Sequence, residues 1–261
     1  MCKSKTDEFI ARDLFLLYFL EYLMNIKTNS YKQTDGNDKN YSHWFVIVTA
    51  LFVTCLITAN ITSVKLIEVL GLVLPAGIVI FPLSYIAGDV LTEVYGYSRA
   101  RKVIWLGFFC NLIAVLAIWC GKAIPSASFW KGQAAYELIL GYTPRLLAAS
   151  FLAYLTGEFF NSFVMAKMKI ITKGRWLWTR TISSTLVGQG LDSIIFITLA
   201  FFGTVPTRIL LFSIITQWLA KSIYEAAATP LTYKATAFLK KREGLDVYDY
   251  HTSFNPLSLK K

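Results

Sequence analysis

The sequence predicts an all-α integral membrane protein with six transmembrane helices and both termini in the cytoplasm. Hydrophobic residues make up 55% of the 261 residues, charged residues make up only 16%, and the mean hydropathy is +0.50. Soluble domains average about 25% charged residues, so a soluble fold does not suit this composition. Six apolar runs are also long enough to cross a hydrocarbon core of about 30 Å, which takes about 20 helical residues.

The six apolar runs follow one another, and the third-to-fourth connection at 122–144 is the longest between them. They lie near residues 44–65, 77–96, 103–121, 145–166, 181–203 and 209–233. The first run has a row of small residues, which is typical of close helix packing. Pro82 early in the second run and Pro230 late in the sixth predict a kink or an end of the helix at those points.

The remaining chain divides into a polar N-terminal segment, residues 1–40, and a short C-terminal tail, residues 241–261. We expect both to be cytoplasmic, on either side of a transmembrane domain at 41–240. Residues 13–26 are apolar but contain Glu21 and precede no small-residue cleavage site, which favours an interfacial helix over a signal peptide. Met24 leaves open the alternative that translation begins there.

The positive charges predict the orientation in the membrane. Twenty of the 26 Lys and Arg residues fall in the N-terminal segment, the second-to-third loop, the fourth-to-fifth loop and the C-terminal tail. Five fall on the other side, and Lys221 lies inside the sixth run. Because Lys and Arg are enriched in cytoplasmic loops, both termini are expected to be cytoplasmic. The net charge of +10 is then explained by topology, and no nucleic-acid partner is expected.

Five of the six runs carry a strongly polar residue near the same depth, since each helical residue advances about 1.5 Å. These residues are Asp89, Asn111, Glu158, Asp192 and Lys221. Residues three or four apart share a helix face, which extends some of them into polar stripes. The stripes consist of Thr185, Gln189, Asp192 and Ser193; of Gln217, Lys221 and Glu225; and of Glu158 with Asn161. We therefore expect a polar cluster at the centre of the bundle.

Charged residues at the membrane midplane indicate a functional site. A charge facing lipid costs about 2.5–3.5 kcal/mol, so these side chains are expected to face inward. Helices can be joined more cheaply through Ser, Thr or Asn, whereas a midplane Asp and Lys are typical of substrate or ion pathways. We interpret Asp89, Asp192 and Lys221 in this way. Lys221 is the one base among four acids at this level and is expected to pair with a carboxylate.

Other polar residues have a simpler interpretation. Single hydrogen bonds between helices are a sufficient role for Asn111, Gln189 and Gln217 when each is taken alone. Glu93 and Glu225 lie nearer the predicted cytoplasmic ends of their runs. For these two residues a structural role and a functional role stay equally open.

Several function classes are disfavoured by what the sequence lacks. There is no GxxxxGK[ST] phosphate-binding loop, and the two histidines, His43 and His251, lie outside the apolar runs. No Ser and His pair is therefore available inside the membrane for proteolysis. The four cysteines have no spacing typical of a metal site or of disulfides. We expect no enzymatic activity, no cofactor and no metal.

Four sequence stretches resemble one known family. They are FPLSYIAGDVLTEVYGYSRARKVIW, TPRLLAASFLAYLTGEFFNS, SSTLVGQGLDSIIFITLAFFG and KSIYEAAATPLTY. Together they resemble the queuosine precursor transporters, formerly grouped as vitamin uptake transporters. The resemblance covers roughly residues 41–240 and leaves out the N-terminal segment and the tail.

The resemblance implies a multi-pass inner-membrane protein with six helices that takes up 7-cyano-7-deazaguanine, a small-molecule precursor of a modified tRNA nucleoside. A guanine-like edge presents two neighbouring N–H donors, which Glu158 or Asp192 can accept. The base's oxygen and nitrogen acceptors need donors, for which Lys221, Gln189 and Asn161 are candidates. Asp89 is expected close to the ligand's path. Three aromatic residues are candidates for stacking on the base: Phe81, Tyr85 and Trp218.

Three alternatives stay open at this point. The chain can be the substrate-binding subunit of an energy-coupling complex whose ATPase is a separate partner. Its cargo can be a vitamin or another purine. It can also be a membrane scaffold without transport. Coupling is open as well: Asp89 or Asp192 can carry a proton, but facilitated uptake followed by metabolic trapping requires none.

The charge distribution yields a topology prediction. In intact cells, Lys131→Cys should be labelled by a membrane-impermeant thiol reagent, because the loop at 122–144 is expected outside. Lys173→Cys should stay unlabelled, since its loop carries the cytoplasmic excess of basic residues. Efficient labelling at position 173 from outside would overturn this topology.

Overall fold

A computed structural model describes residues 42–69, 72–141, 144–250 and 252–258. The predictions for residues 1–40 lie outside the described residues. The described chain forms helices at His43–Thr62 (α1), Phe81–Tyr95 (α2), Tyr97–Ala123 (α3), Gln133–Leu140 (α4), Pro144–Ile171 (α5), Leu177–Phe201 (α6) and Thr207–Glu243 (α7). The first connection contains strands Leu66–Val69 (β1) and Leu72–Pro75 (β2), followed by a 3-10 turn at Ala76–Val79.

The all-helical membrane class agrees with the structure, apart from this hairpin. Four described stretches are long and apolar enough to span a membrane: His43–Thr62, Tyr97–Ala123, Gln133–Ile171 and Leu177–Phe201. The α2 helix has 15 residues, which gives about 22 Å and is less than the hydrocarbon thickness. The α7 helix is long enough but carries Lys221 and Glu225 in its middle. By these criteria, four of the six predicted spans are supported.

The short hairpin lies in the connection between the first and second predicted runs. Its strands are antiparallel, and Leu66 faces Pro75 while Val69 faces Leu72. Both strands are rich in Leu, Ile and Val, residues that suit an extended backbone. The hairpin lies between the first two predicted spans, and the 3-10 turn at Ala76–Val79 occupies the start of the second, so α2 begins only at Phe81.

Only one residue separates α2 from α3. Gly96 has a φ of +82°, a conformation in which side chains other than hydrogen are strained. A Cβ atom added there would also lie 2.7 Å from Cγ1 of Val247. Glycine is therefore required both for the turn and for the approach of the C-terminal chain.

The α5 and α6 helices touch along their backbones through two glycines. A Cβ atom on Gly157 would lie 3.0 Å from Cβ of Asp192, and one on Gly188 would lie 2.8 Å from Cβ of Asn161. Small residues permit this approach between membrane helices. The contact places the polar side chains of the two helices next to each other.

The C-terminal segment, residues 245–250 and 252–258, packs against the ends of α3 and α5. The Asp249 carboxylate accepts a hydrogen bond of 3.0 Å from the backbone N–H of Tyr97. Arg101 donates from Nη1 to the carbonyls of Ser253 and Asn255, at 2.9 and 2.7 Å. The predicted tail boundary at 240 falls inside α7, and the chain beyond this helix is part of the packed structure.

Phe254 is the apolar anchor of the C-terminal segment. Its ring centroid lies 4.9 Å from that of Tyr97 and 5.2 Å from that of Phe163, and Nζ of Lys167 lies 4.2 Å from it. The ring thus joins the segment to both α3 and α5.

We expect Phe254→Ala to lower the free energy of unfolding by about 1–2 kcal/mol, because a partly buried ring loses its apolar contacts. Thermal unfolding of the purified protein in detergent measures this loss. Leu257→Ala is the matched control, since Leu257 belongs to the same segment but is 76% exposed. Equal midpoints for the two variants would contradict the anchoring role.

Candidate functional site

Four helices bring their polar residues together in the middle of the bundle. We name this group the central cluster, and its residues are Tyr85 and Asp89 on α2, Glu158 and Asn161 on α5, Gln189 and Asp192 on α6, and Lys221 and Glu225 on α7. Each of these eight residues contacts another member of the group or interacts with it electrostatically, as described below. The structure therefore brings together all six binding-site candidates from the sequence analysis, which are Asp89, Glu158, Asn161, Gln189, Asp192 and Lys221.

Asp89 and Asn161 form a direct contact between α2 and α5. Asn161 donates a hydrogen bond of 3.0 Å from Nδ2 to Oδ1 of Asp89, whose side chain is 1% exposed. Oδ2 of Asp89 and Oδ1 of Asn161 are buried and have no hydrogen-bond partner among the described residues. The contact thus leaves two acceptor oxygens unsatisfied.

The carboxylate of Glu158 lies in front of Gly88. A Cβ atom on Gly88 would be 3.5 Å from Oε2 of Glu158, so a glycine leaves room for this carboxylate against α2. Glu158 is within electrostatic range of Asp89, Asp192 and Lys221. Among the described residues, no hydrogen bond or ion pair holds its carboxylate.

Lys221 is paired with a carboxylate, as the sequence predicted. Its ammonium forms an ion pair with Oδ2 of Asp192, which joins α7 to α6. About a fifth of each side chain is exposed (19% and 20%), so the pair borders an accessible space. The single base in the central cluster is therefore already engaged.

Tyr85 is the aromatic member that α2 contributes to the central cluster. Its hydroxyl lies beside the amide of Gln189 and within electrostatic range of Asp192, Glu225 and Glu158. Its ring stacks on Phe81, with centroids 5.8 Å apart and planes 8° apart. Two of the three aromatic candidates therefore form one stacked pair next to the cluster.

The third aromatic candidate has another role. Nε1 of Trp218 donates a hydrogen bond of 3.0 Å to the carbonyl of Leu186. A Cβ atom on Gly190 would lie 3.3 Å from the same nitrogen. Trp218 thus ties α7 to the backbone of α6.

Glu225 belongs to the cluster although the sequence left its role open. It is 4% exposed, lies beside the hydroxyl of Thr185, and is within electrostatic range of Asp89, Glu158 and Lys221. Its Oε2 atom is buried without a hydrogen-bond partner in the described part of the chain. The four-residue step from Lys221 was the signal for this placement, because it puts both side chains on one face of α7.

The central cluster has more acceptors than donors. Four buried oxygens lack a donor among the described residues: Oδ2 of Asp89, Oδ1 of Asn161, Oε1 of Gln189 and Oε2 of Glu225. A buried polar group without a partner costs about 1–3 kcal/mol. A planar ligand with neighbouring N–H groups would supply the missing donors. The arrangement is thus suited to binding such a ligand.

A second buried cluster, around Glu93, lies one turn further along α2. Glu93 accepts two hydrogen bonds from Arg180, at 2.8 Å from Nε and 2.7 Å from Nη2, and a third from Lys240 at 2.6 Å. Nζ of Lys169 lies 3.6 Å from its Oε1. Asp246 bridges Lys169 and Lys240, at 2.6 and 2.8 Å. Because both oxygens of Glu93 are satisfied, the structure favours the structural role for this residue.

Asp246 contributes to this second cluster from outside the helices. Burial by itself would raise the pKa of Asp246, but hydrogen bonds from Lys169 and Lys240 bring its pKa below the ordinary range. A carboxyl with a lowered pKa stabilises the folded state at neutral pH, and that contribution is lost as the pH falls through the lowered value.

Comparisons with known proteins agree on one family. The model of a family described as "Putative vitamin uptake transporter" matches residues 75–235. A Bacillus subtilis protein named "Probable queuosine precursor transporter" is 32% identical over 188 residues, which is 72% of this chain and 82% of the relative. An Escherichia coli protein named "Queuosine precursor transporter" is 28% identical over 153 residues, 58% of this chain and 66% of the relative. No solved structure matches.

We expect Lys221→Met to lower the stability of the protein by about 3 kcal/mol, because it strands the Asp192 charge. The double variant Lys221→Met, Asp192→Asn should recover most of that loss. Thermal unfolding and the yield of monodisperse protein in detergent measure both. Lys122→Met is the control, since its pair with Glu137 is 3.8 Å long and exposed and contributes little. A Lys221→Met protein as stable as the control would contradict the paired arrangement.

Proposed function

This chain belongs to the family described as "Putative vitamin uptake transporter", and on that premise we propose that it is an uptake transporter for the queuosine precursor 7-cyano-7-deazaguanine. It is a membrane transporter rather than an enzyme. We further propose that it lies in the inner membrane with six spans and both termini in the cytoplasm. In this arrangement α2 and α7 are also spans, and their polar residues line the binding site together with those of α5 and α6.

The observation that carries this proposal is the surplus of unsatisfied acceptors in the central cluster. The guanine-like edge of the precursor has a ring N–H next to an amino group, which together suit one carboxylate. Glu158 is the first choice, since no described residue holds its carboxylate. Oε1 of Gln189 and Oδ2 of Asp89 are further acceptors within the cluster.

The precursor also needs donors for its carbonyl oxygen and its nitrile nitrogen. Lys221 can supply them by sharing its ammonium between Asp192 and the ligand. Asn161 and Gln189 add amide N–H groups. The stacked pair of Phe81 and Tyr85 offers an aromatic face for the planar base, as in other sites that hold nucleobases.

A vitamin is the second candidate cargo, because the description of the matching family names vitamin uptake. Unlabelled vitamins and purines competing against labelled precursor separate the two cargoes. The need for a separate ATPase partner is tested by expressing this chain alone in cells that lack such a partner. If the chain needs one, uptake of the precursor fails in those cells.

The decisive experiment is complementation. Cells that cannot synthesise the precursor and lack their own transporter should regain queuosine in tRNA when this chain is expressed and the precursor is supplied at low concentration. Queuosine is measured by mass spectrometry of digested tRNA. Cells that express the chain in the membrane but stay without queuosine would refute the proposed cargo.

We expect Glu158→Gln to insert normally into the membrane but to weaken the apparent affinity for the precursor roughly ten- to a hundredfold. The variant keeps the shape of the side chain and places an amide donor opposite a ligand donor, which costs about 1–3 kcal/mol. Initial uptake rates at increasing precursor concentration measure the affinity. Glu68→Gln is the matched control, because Glu68 is an exposed carboxylate on β1. An unchanged affinity in Glu158→Gln would assign Glu158 to the scaffold.

A further inference from the structure

Two carboxylates of the central cluster are buried without a compensating cation. Asp89 is 1% exposed and Glu225 is 4% exposed. Each has one oxygen without a hydrogen-bond partner in the part of the chain that the structure describes. They come from α2 and α7 and lie within electrostatic range of each other. Two negative charges so placed would repel each other in a medium that screens them poorly.

The surrounding groups do not supply the missing positive charge. The titratable side chains within electrostatic range of one or both carboxylates are Tyr85, Glu93, Glu158 and Lys221. All but Lys221 are acidic, and Lys221 is paired with Asp192. Arg180 and Lys240 are bonded to Glu93, which lies one turn from Asp89 on α2. Among the described residues, then, the pair of Asp89 and Glu225 has no cation of its own.

A proton fits this place better than a metal ion. No three His, Cys, Asp or Glu side chains of the described chain come together as a metal site does. A proton requires only one acceptor oxygen. Once bound, it turns that oxygen into an O–H donor, which can satisfy one of the unpartnered acceptors nearby. A single proton thus removes a charge and also supplies a hydrogen bond.

We propose that Asp89 and Glu225 form a proton-binding site and that one proton is carried inward with each molecule of base. An O–H bond forms on one of the two carboxylates with a proton from the outer solution, and the same bond breaks when the proton leaves to the cytoplasm. The proton site is a property of the empty protein, whereas its coupling to a base rests on the proposed function.

Coupling is tested with the full chain in proteoliposomes and labelled 7-cyano-7-deazaguanine. An inward proton gradient should raise the initial uptake rate at least severalfold, and an uncoupler should abolish that gain. An inward sodium gradient at equal pH should leave the rate unchanged. Stimulation by sodium and not by protons, or by neither gradient while the base still exchanges, would overturn proton coupling and leave the proposed function intact.

The residues are tested with Glu225→Gln and Asp89→Asn. Each variant should lose stimulation by the proton gradient, measured as the ratio of initial uptake with the gradient to initial uptake without it. Uptake is compared at a base concentration well above each variant's own apparent affinity constant, so that weaker binding of the base does not lower the ratio. Monodisperse elution in detergent shows that the variant is folded. Glu68→Gln is the control and should keep the stimulation, since Glu68 is exposed on β1. If both site variants still respond to the gradient, the proton assignment is wrong.

A measurement without substrate separates the two proposals. Infrared spectroscopy of the empty protein at neutral pH should show the C=O stretch of a protonated carboxylic acid. That band should be lost in at least one of Glu225→Gln and Asp89→Asn and kept in Glu68→Gln. Wild-type protein that shows the band but neither binds nor exchanges the base would refute the cargo and support the proton site. A wild-type spectrum without the band would refute the proton site.

Discussion

The carboxylate of Glu93 is the interaction on which the rest of the structure depends. It lies on α2 and binds Arg180 of α6 and Lys240 of α7, while Lys169 of α5 lies 3.6 Å from it. Four helices and, through Asp246, the C-terminal segment are thus joined at one buried point. Losing one partner of such a buried set leaves the remaining charges uncompensated, which is strongly destabilising.

The interactions of Glu93 also set the geometry of the central cluster. Asp89 lies four residues before Glu93 on the same face of α2, so fixing one residue fixes the depth and direction of the other. The same holds for Glu225 on α7, which is anchored further along by Lys240. The central cluster can stay incompletely bonded only if the helices around it are held firmly elsewhere. The satisfied charges near the helix ends provide that support.

The two clusters differ in how completely their polar atoms are hydrogen-bonded. The fully bonded cluster around Glu93 suits a structural role, and the incompletely bonded central cluster suits a binding role. Around Glu93, Oε2 accepts a hydrogen bond from Arg180, and Oε1 accepts from Arg180 and Lys240. In the central cluster, Asp89 and Glu225 each keep a buried oxygen without a donor. Buried polar groups in proteins are nearly always hydrogen-bonded, so unsatisfied groups in the central cluster point to a ligand or an ion that completes them.

The sequence by itself determined the membrane class and the engagement of Lys221 by an acid, because composition and the spacing of residues along a helix are local properties. Only the tertiary structure decided that the acid is Asp192, that Asn161 binds Asp89, and that residues 245–258 pack onto the helices. Those outcomes depend on how each helix is rotated toward its neighbours. The rotation is set by contacts distant in sequence, such as that of Gly157 with Asp192, and no periodicity along a single helix encodes it.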